Sequence, residues 1–127
     1  MKQNALLVVA SLLSLLLLIV HITQDTILQA EGSMMYPIPV VFFAVWLYAT
    51  VVAPDRIWGL VVILLGGLFS VGMIVLHANG IVVRQTGGFF FVFTMFALST
   101  TGWLTIALGA RALGLAIRAR RATQLAE

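Results

Sequence analysis

Residues 5–23 read Ala-Leu-Leu-Val-Val-Ala-Ser-Leu-Leu-Ser-Leu-Leu-Leu-Leu-Ile-Val-His-Ile-Thr, without one acidic or basic residue apart from a histidine. A helix needs about 20 mainly apolar residues to cross a hydrocarbon core roughly 30 Å thick, and this stretch supplies them. Three more of the same kind follow, at about 34–52, 57–78 and 89–110, the last running on into a basic helical tail over 111–127. The expected fold is an all-α membrane protein: one domain over residues 1–127, built as an antiparallel bundle of four transmembrane helices.

Composition points the same way. Of 127 residues, 62% are hydrophobic and only 9% are charged, against about 25% charged in soluble chains. Mean hydropathy is +1.15. So few polar residues do not cover a water-exposed globule, and lipid is the solvent that fits most of this surface. The chain has no cysteine, which removes disulfides, iron–sulfur clusters and thiolate zinc sites. A net charge of +3 with a pI near 10.2 raises nucleic acid as a partner. The basic residues Arg111, Arg118, Arg120 and Arg121 instead gather where the last helix leaves the membrane, and there they suit anionic headgroups. No nucleic-acid partner is expected.

Polar punctuation separates the apolar runs. Residues 24–33 form the first connection. Ala53-Pro54-Asp55-Arg56 forms the second, so short that helices 2 and 3 must make an antiparallel hairpin, with Asp55 suited to cap helix 3. Asn79-Gly80 opens the third connection and Gly87-Gly88 closes it. Asn-Gly favours a tight turn. Pro37 and Pro39 fall near the start of helix 2, where a missing N–H costs least. No Ala-x-Ala cleavage site follows the first run, and Leu28-Gln29-Ala30 has a large residue at the −3 position, so the first helix is expected to stay as an anchor.

Orientation follows from basic residues. With both termini inside, Lys2, Arg56, Arg111, Arg118, Arg120 and Arg121 are cytoplasmic and Arg84 alone is outside, six against one. Trp58 then anchors helix 3 at the inner interface and Tyr36 anchors helix 2 at the outer one.

Helix 1 carries Asn4, Ser11, Ser14, His21 and Asp25 in steps of seven, three, seven and four, which keep to one face. Polar groups are expensive against lipid, so this face should point into the bundle or a partner. Serines there have a plainer reading too, bonding to their own backbone and allowing close packing. Helix 3 sets Gly59, Gly66 and Ser70 on one face, and helix 4 sets Gly102, Thr105 and Gly109. Small residues at such spacing let helix backbones approach, so Gly66, Ser70 and Gly102 are the expected contacts, with Gly59 and Gly109 beside them.

Helices 1 and 3 run in the same direction and both end in histidine. Counting at 1.5 Å per residue puts His21 and His77 about 25–30 Å up, near the outer interface. Asp25 is one turn beyond His21; Glu31 and Arg84 lie in the two outer connections. Three chemistries fit this set. His21, His77 and Asp25 or Glu31 offer nitrogen and oxygen ligands to zinc, copper or iron. The two histidines offer opposed axial ligands to a b-type haem. A His–Asp pair can handle protons near neutral pH. Set against these is an interfacial polar rim that binds nothing, with Arg84 paired to Glu31, and histidines are tolerated at interfaces in any case. The aromatic run Phe89-Phe90-Phe91, with Phe93 and Phe96, covers more than one helix face, as lipid contact and core filling require; nothing else in the sequence points to a quinone or pigment groove.

The sequence holds no hydrolase-type Ser/His/Asp set, no phosphate-binding glycine loop and no paired carboxylates. No carboxylate lies at mid-membrane, where a proton-coupled transporter keeps one, and no proline breaks a helix there. That sets the chain apart from small four-helix drug exporters of similar size.

His21-x-x-x-Asp25 followed by Glu31-Gly32, together with Val45-Trp46-Leu47-Tyr48 and Gly87-Gly88-Phe89-Phe90-Phe91, resembles small uncharacterised four-span proteins of bacterial inner membranes. The resemblance implies the fold and the membrane and brings no functional residue. The expectation is a non-enzymatic inner-membrane component, either a homo-oligomer or an accessory subunit of a larger complex. Its alternatives are a metal- or haem-binding redox protein and a small transporter or channel. No cofactor is required; a metal ion or haem b is the candidate if there is one.

Overall fold

The computed structural model describes residues 2–29, 37–77 and 88–125. Among them are four helices: α1 (Lys2–Gln29), α2 (Pro37–Val52), α3 (Ile57–His77) and α4 (Gly88–Gln124). α1, α3 and α4 are long and apolar enough to cross a membrane, and α2 is apolar over the shorter stretch Val40–Val52.

Helix ends depart from the apolar runs where no residue stops the helix. α1 continues to Gln29 rather than ending near Thr23. Residues 24–29 contain neither glycine nor proline, so the backbone goes on winding after apolarity ends. α4 likewise passes Ala110 and the single Gly114 to reach Gln124; its 37 residues span about 55 Å at 1.5 Å each. It begins at Gly88, whose φ of 56° lies in the left-handed region that glycine enters without strain. Of the connections, only the α2–α3 turn is described. There the Arg56 N–H donates to Ala53 O at 3.1 Å, and the Leu60 N–H donates to Arg56 O at 2.9 Å. The residue at the cap is therefore Arg56. Asp55, expected in that role, stands one position earlier and accepts a hydrogen bond from the Asn4 side-chain amide.

Successive helices are antiparallel, and the contacts fix the register. Asn4 meets Asp55, Ser11 meets Thr50 and Ser14 meets Thr105. Gly67 packs beside Gly102 and Thr105. α4 packs most extensively on α3 and then on α1, while α2 rests on α3 and α1. The start of α1, the α2–α3 turn and the end of α4 thus share one end of the bundle, called here the terminal end. His21 and His77 lie at the other.

The core is a column of Leu7, Leu15, Leu18, Trp46, Leu60, Ile63, Met73 and Leu98. Around it the outside is apolar as well: Leu6, Val9, Leu13 and Leu16 on α1, Val40, Val41 and Val45 on α2, Leu65 and Leu68 on α3, and Phe93, Phe96 and Trp103 on α4 are all exposed. A soluble monomer does not carry so continuous an apolar belt; a bundle in lipid does.

Candidate functional site

The polar face of α1 supplies three of the buried polar side chains. Ser11, Ser14 and His21 are all fully buried. Trp46 Nε1 donates to Ser11 Oγ at 2.8 Å. Thr50 Oγ1 spends its single hydrogen on Trp46 O at 2.9 Å, so in the 2.8 Å pair with Ser11 the serine is the donor. Thr105 likewise donates to Thr101 O at 2.9 Å, which makes Ser14 the donor in their 3.1 Å contact. Against the plainer expectation, the α1 serines bond across helices. Ser70 does bond to its own helix, donating to Gly66 O at 3.0 Å.

Small residues lie where these helices close. A Cβ on Gly66 would fall inside the Trp46 indole, and one on Gly59 would overlap the Ala53 carbonyl. On Gly102 it would come 2.9 Å from both Gly67 O and Ser70 Cβ; on Gly109 it would press on Leu64 at 3.0 Å.

At the far end, His21 from α1 and His77 from α3 meet. Their ring centroids are 5.0 Å apart and the planes stand at 81°. Phe91 from α4 closes the group, 4.7 Å from His21 and 5.6 Å from His77. His77 Nδ1 lies 2.8 Å from Met73 O. A carbonyl only accepts, so Nδ1 carries the proton. A backbone carbonyl fixing one ring nitrogen in this way is the usual support of a metal-ligating histidine. Next to the pair, Thr94 Oγ1 donates to Gln24 Oε1 at 2.9 Å.

The two imidazoles are in edge contact, with Phe91 against both. A porphyrin plane between opposed axial ligands requires the rings to part. Of the other residues considered, Asp25 lies in α1 one turn past His21; its side chain, Glu31 and Arg84 fall outside the described residues. Among the described residues no group of three or more His, Cys, Asp or Glu is placed to hold a metal ion.

The basic residues sit at the terminal end. Arg56, Arg111, Arg118, Arg120 and Arg121 are all exposed. In the sequence Phe91 belongs to an aromatic run, and nothing there pairs it with histidine or brings Arg56 to one cavity with Arg120. Both placements join distant segments, and no local spacing carries them.

No protein-family model, no curated protein and no solved structure matches the chain. The likeness to small four-span proteins of bacterial inner membranes therefore rests on the quoted motifs. What stands is a multi-helix bundle of membrane type, without cysteine and without a catalytic motif.

Proposed function

We propose that this protein is a non-enzymatic component of a bacterial inner membrane, with four spans and both termini on the cytoplasmic side. It works by assembly, as a homo-oligomer or as an accessory subunit of a larger complex. One observation carries this reading: along the described middle of α1, the polar face is turned inward and bonded to neighbouring helices. Ser11 and Ser14 are fully buried and bonded to α2 and α4. A channel or transporter needs such a face to line a water-filled path. Here it serves cohesion, at about 0.6 kcal/mol per interhelical bond on average. With the interior used for packing, the outer apolar surface is what remains for partners. The six-to-one distribution of basic residues supports the orientation.

The test is native mass spectrometry of the protein gently extracted from its own membrane. The expected spectrum shows a stable homo-oligomer or a complex with other subunits. A bare monomer, together with transport of an ion by the pure protein in liposomes, overturns the reading.

A second reading has its own support in the histidine pair: His21 and His77 as ligands to a divalent metal, with Asp25 or Glu31 completing the set. The contact between the rings and the fixed Nδ1 proton of His77 favour it. The same spectrum would then carry the mass of one metal ion, lost in a His21→Ala, His77→Ala double variant. A metal-free preparation from native membranes rejects it.

A further inference from the structure

Arg56, in the α2–α3 turn, and Arg120, near the end of α4, line one cavity of about 460 Å³ at the terminal end, together with Asp55, Ile57 and Trp58. We propose that this cavity binds the phosphate of an anionic lipid headgroup. This goes beyond the assembly reading and depends only on the bundle lying in a membrane.

Charge comes first. Two guanidinium groups from distant parts of the chain face one carboxylate, and Asp55 already accepts the Asn4 amide. Planar guanidinium donors match phosphate oxygens in pairs. The first intrahelical bond of α3 runs from Leu60 to Arg56, so the N–H groups of Ile57 and Trp58 precede the hydrogen-bonded ladder at the positive end of the helix. Both residues line the cavity, and their amides add to the field the arginines set up.

Position identifies the source of the phosphate. Trp58 is 45% exposed and stacks on Tyr48 at 6.0 Å with planes 20° apart, an aromatic pair of the kind that sits at headgroup level. Further into the membrane, at helical spacing from this pair, Val61 and Leu65 on α3 and Val45 on α2 are exposed. A phosphate held by Arg56 and Arg120 leaves its acyl chains to run along this apolar wall. The other arginines of the tail, Arg111, Arg118 and Arg121, do not line the cavity, which separates a built site from a general attraction of basic residues to an anionic surface.

The experiment titrates the full-length protein in a neutral detergent with phosphatidylglycerol or with phosphatidylcholine, counting bound lipids by native mass spectrometry. Wild type is expected to retain one phosphatidylglycerol in preference to phosphatidylcholine. An R56Q/R120Q double variant is expected to bind it about 30-fold more weakly. An R118Q/R121Q control, which loses the same charge, is expected to bind as wild type does. All four side chains are exposed, and circular dichroism checks that both variants keep their helices. Equal loss in the two double variants overturns the site, as does equal binding of the two lipids by wild type. Displacement of the lipid by millimolar inorganic phosphate overturns the lipid assignment in favour of a free anion.

Discussion

Trp46 covers Gly66 and donates its indole hydrogen to Ser11, so three helices depend on the position of one side chain. A Gly66→Leu change puts new atoms where the indole ring lies. Trp46 must leave, and its bond to Ser11 goes with it. Overpacking of a tight core costs about 1–3 kcal/mol, and an interhelical hydrogen bond adds roughly 0.6 kcal/mol. Thermal unfolding in detergent is therefore expected at a clearly lower midpoint for Gly66→Leu than for wild type. An unchanged midpoint would show that Trp46 and Gly66 do not form this contact. The histidines show how far a residue count reaches. Their equal height is legible in the sequence, because α1 and α3 run in the same direction and each residue advances both by the same amount. Their ring contact is not, nor is the place of Phe91 against both, since these depend on how three helices are rotated about their axes.

At the scale of elements, α4 organises the bundle: its packing on α3 is the most extensive between any two of the described helices, and it meets α1 through Thr105 and Gly109. The register between α1 and α4 can be tested directly, because the chain has no cysteine of its own. A Ser14→Cys, Thr105→Cys pair replaces two oxygens that lie 3.1 Å apart, close enough for a disulfide after small adjustment. It should cross-link readily with a membrane-permeant oxidant. A Ser14→Cys, Ala97→Cys pair, displaced by eight residues or about 12 Å along α4, should not. The reverse result would mean a different register. Where the helices lie is legible in the sequence, since apolar runs broken by Ala53-Pro54-Asp55-Arg56 or Gly87-Gly88 leave few alternatives. Where they stop is less so. Apolarity measures the thickness of the membrane, whereas a helix ends where a residue stops it, and α1 meets no such residue at the membrane surface. Which faces meet is partly legible. The small residues of α3 and α4 mark close approach, yet Gly66 faces Trp46 of α2 while Gly67 faces Gly102 of α4, and adjacent glycines give no hint of that division.

For the whole molecule, the two ends of the bundle differ in kind. One gathers the start of α1, the end of α4, the exposed arginines and the cavity at Trp58; the other holds the histidine pair. Between them the interior is closed by hydrogen bonds that link α1 to α2 and to α4. α2 is the shortest of the described helices, with 16 residues or about 24 Å of length, so whether it crosses the bilayer decides whether the protein spans four times. The most direct measurement is accessibility of single cysteines to a membrane-impermeant maleimide in intact cells. Ser33→Cys and Thr86→Cys are expected to label from outside, and Pro54→Cys and Ala122→Cys only after the membrane is permeabilised. Labelling of Ser33→Cys and Pro54→Cys from the same side would contradict the account, because α2 would then lie along the surface and the bundle would not be a four-span membrane protein.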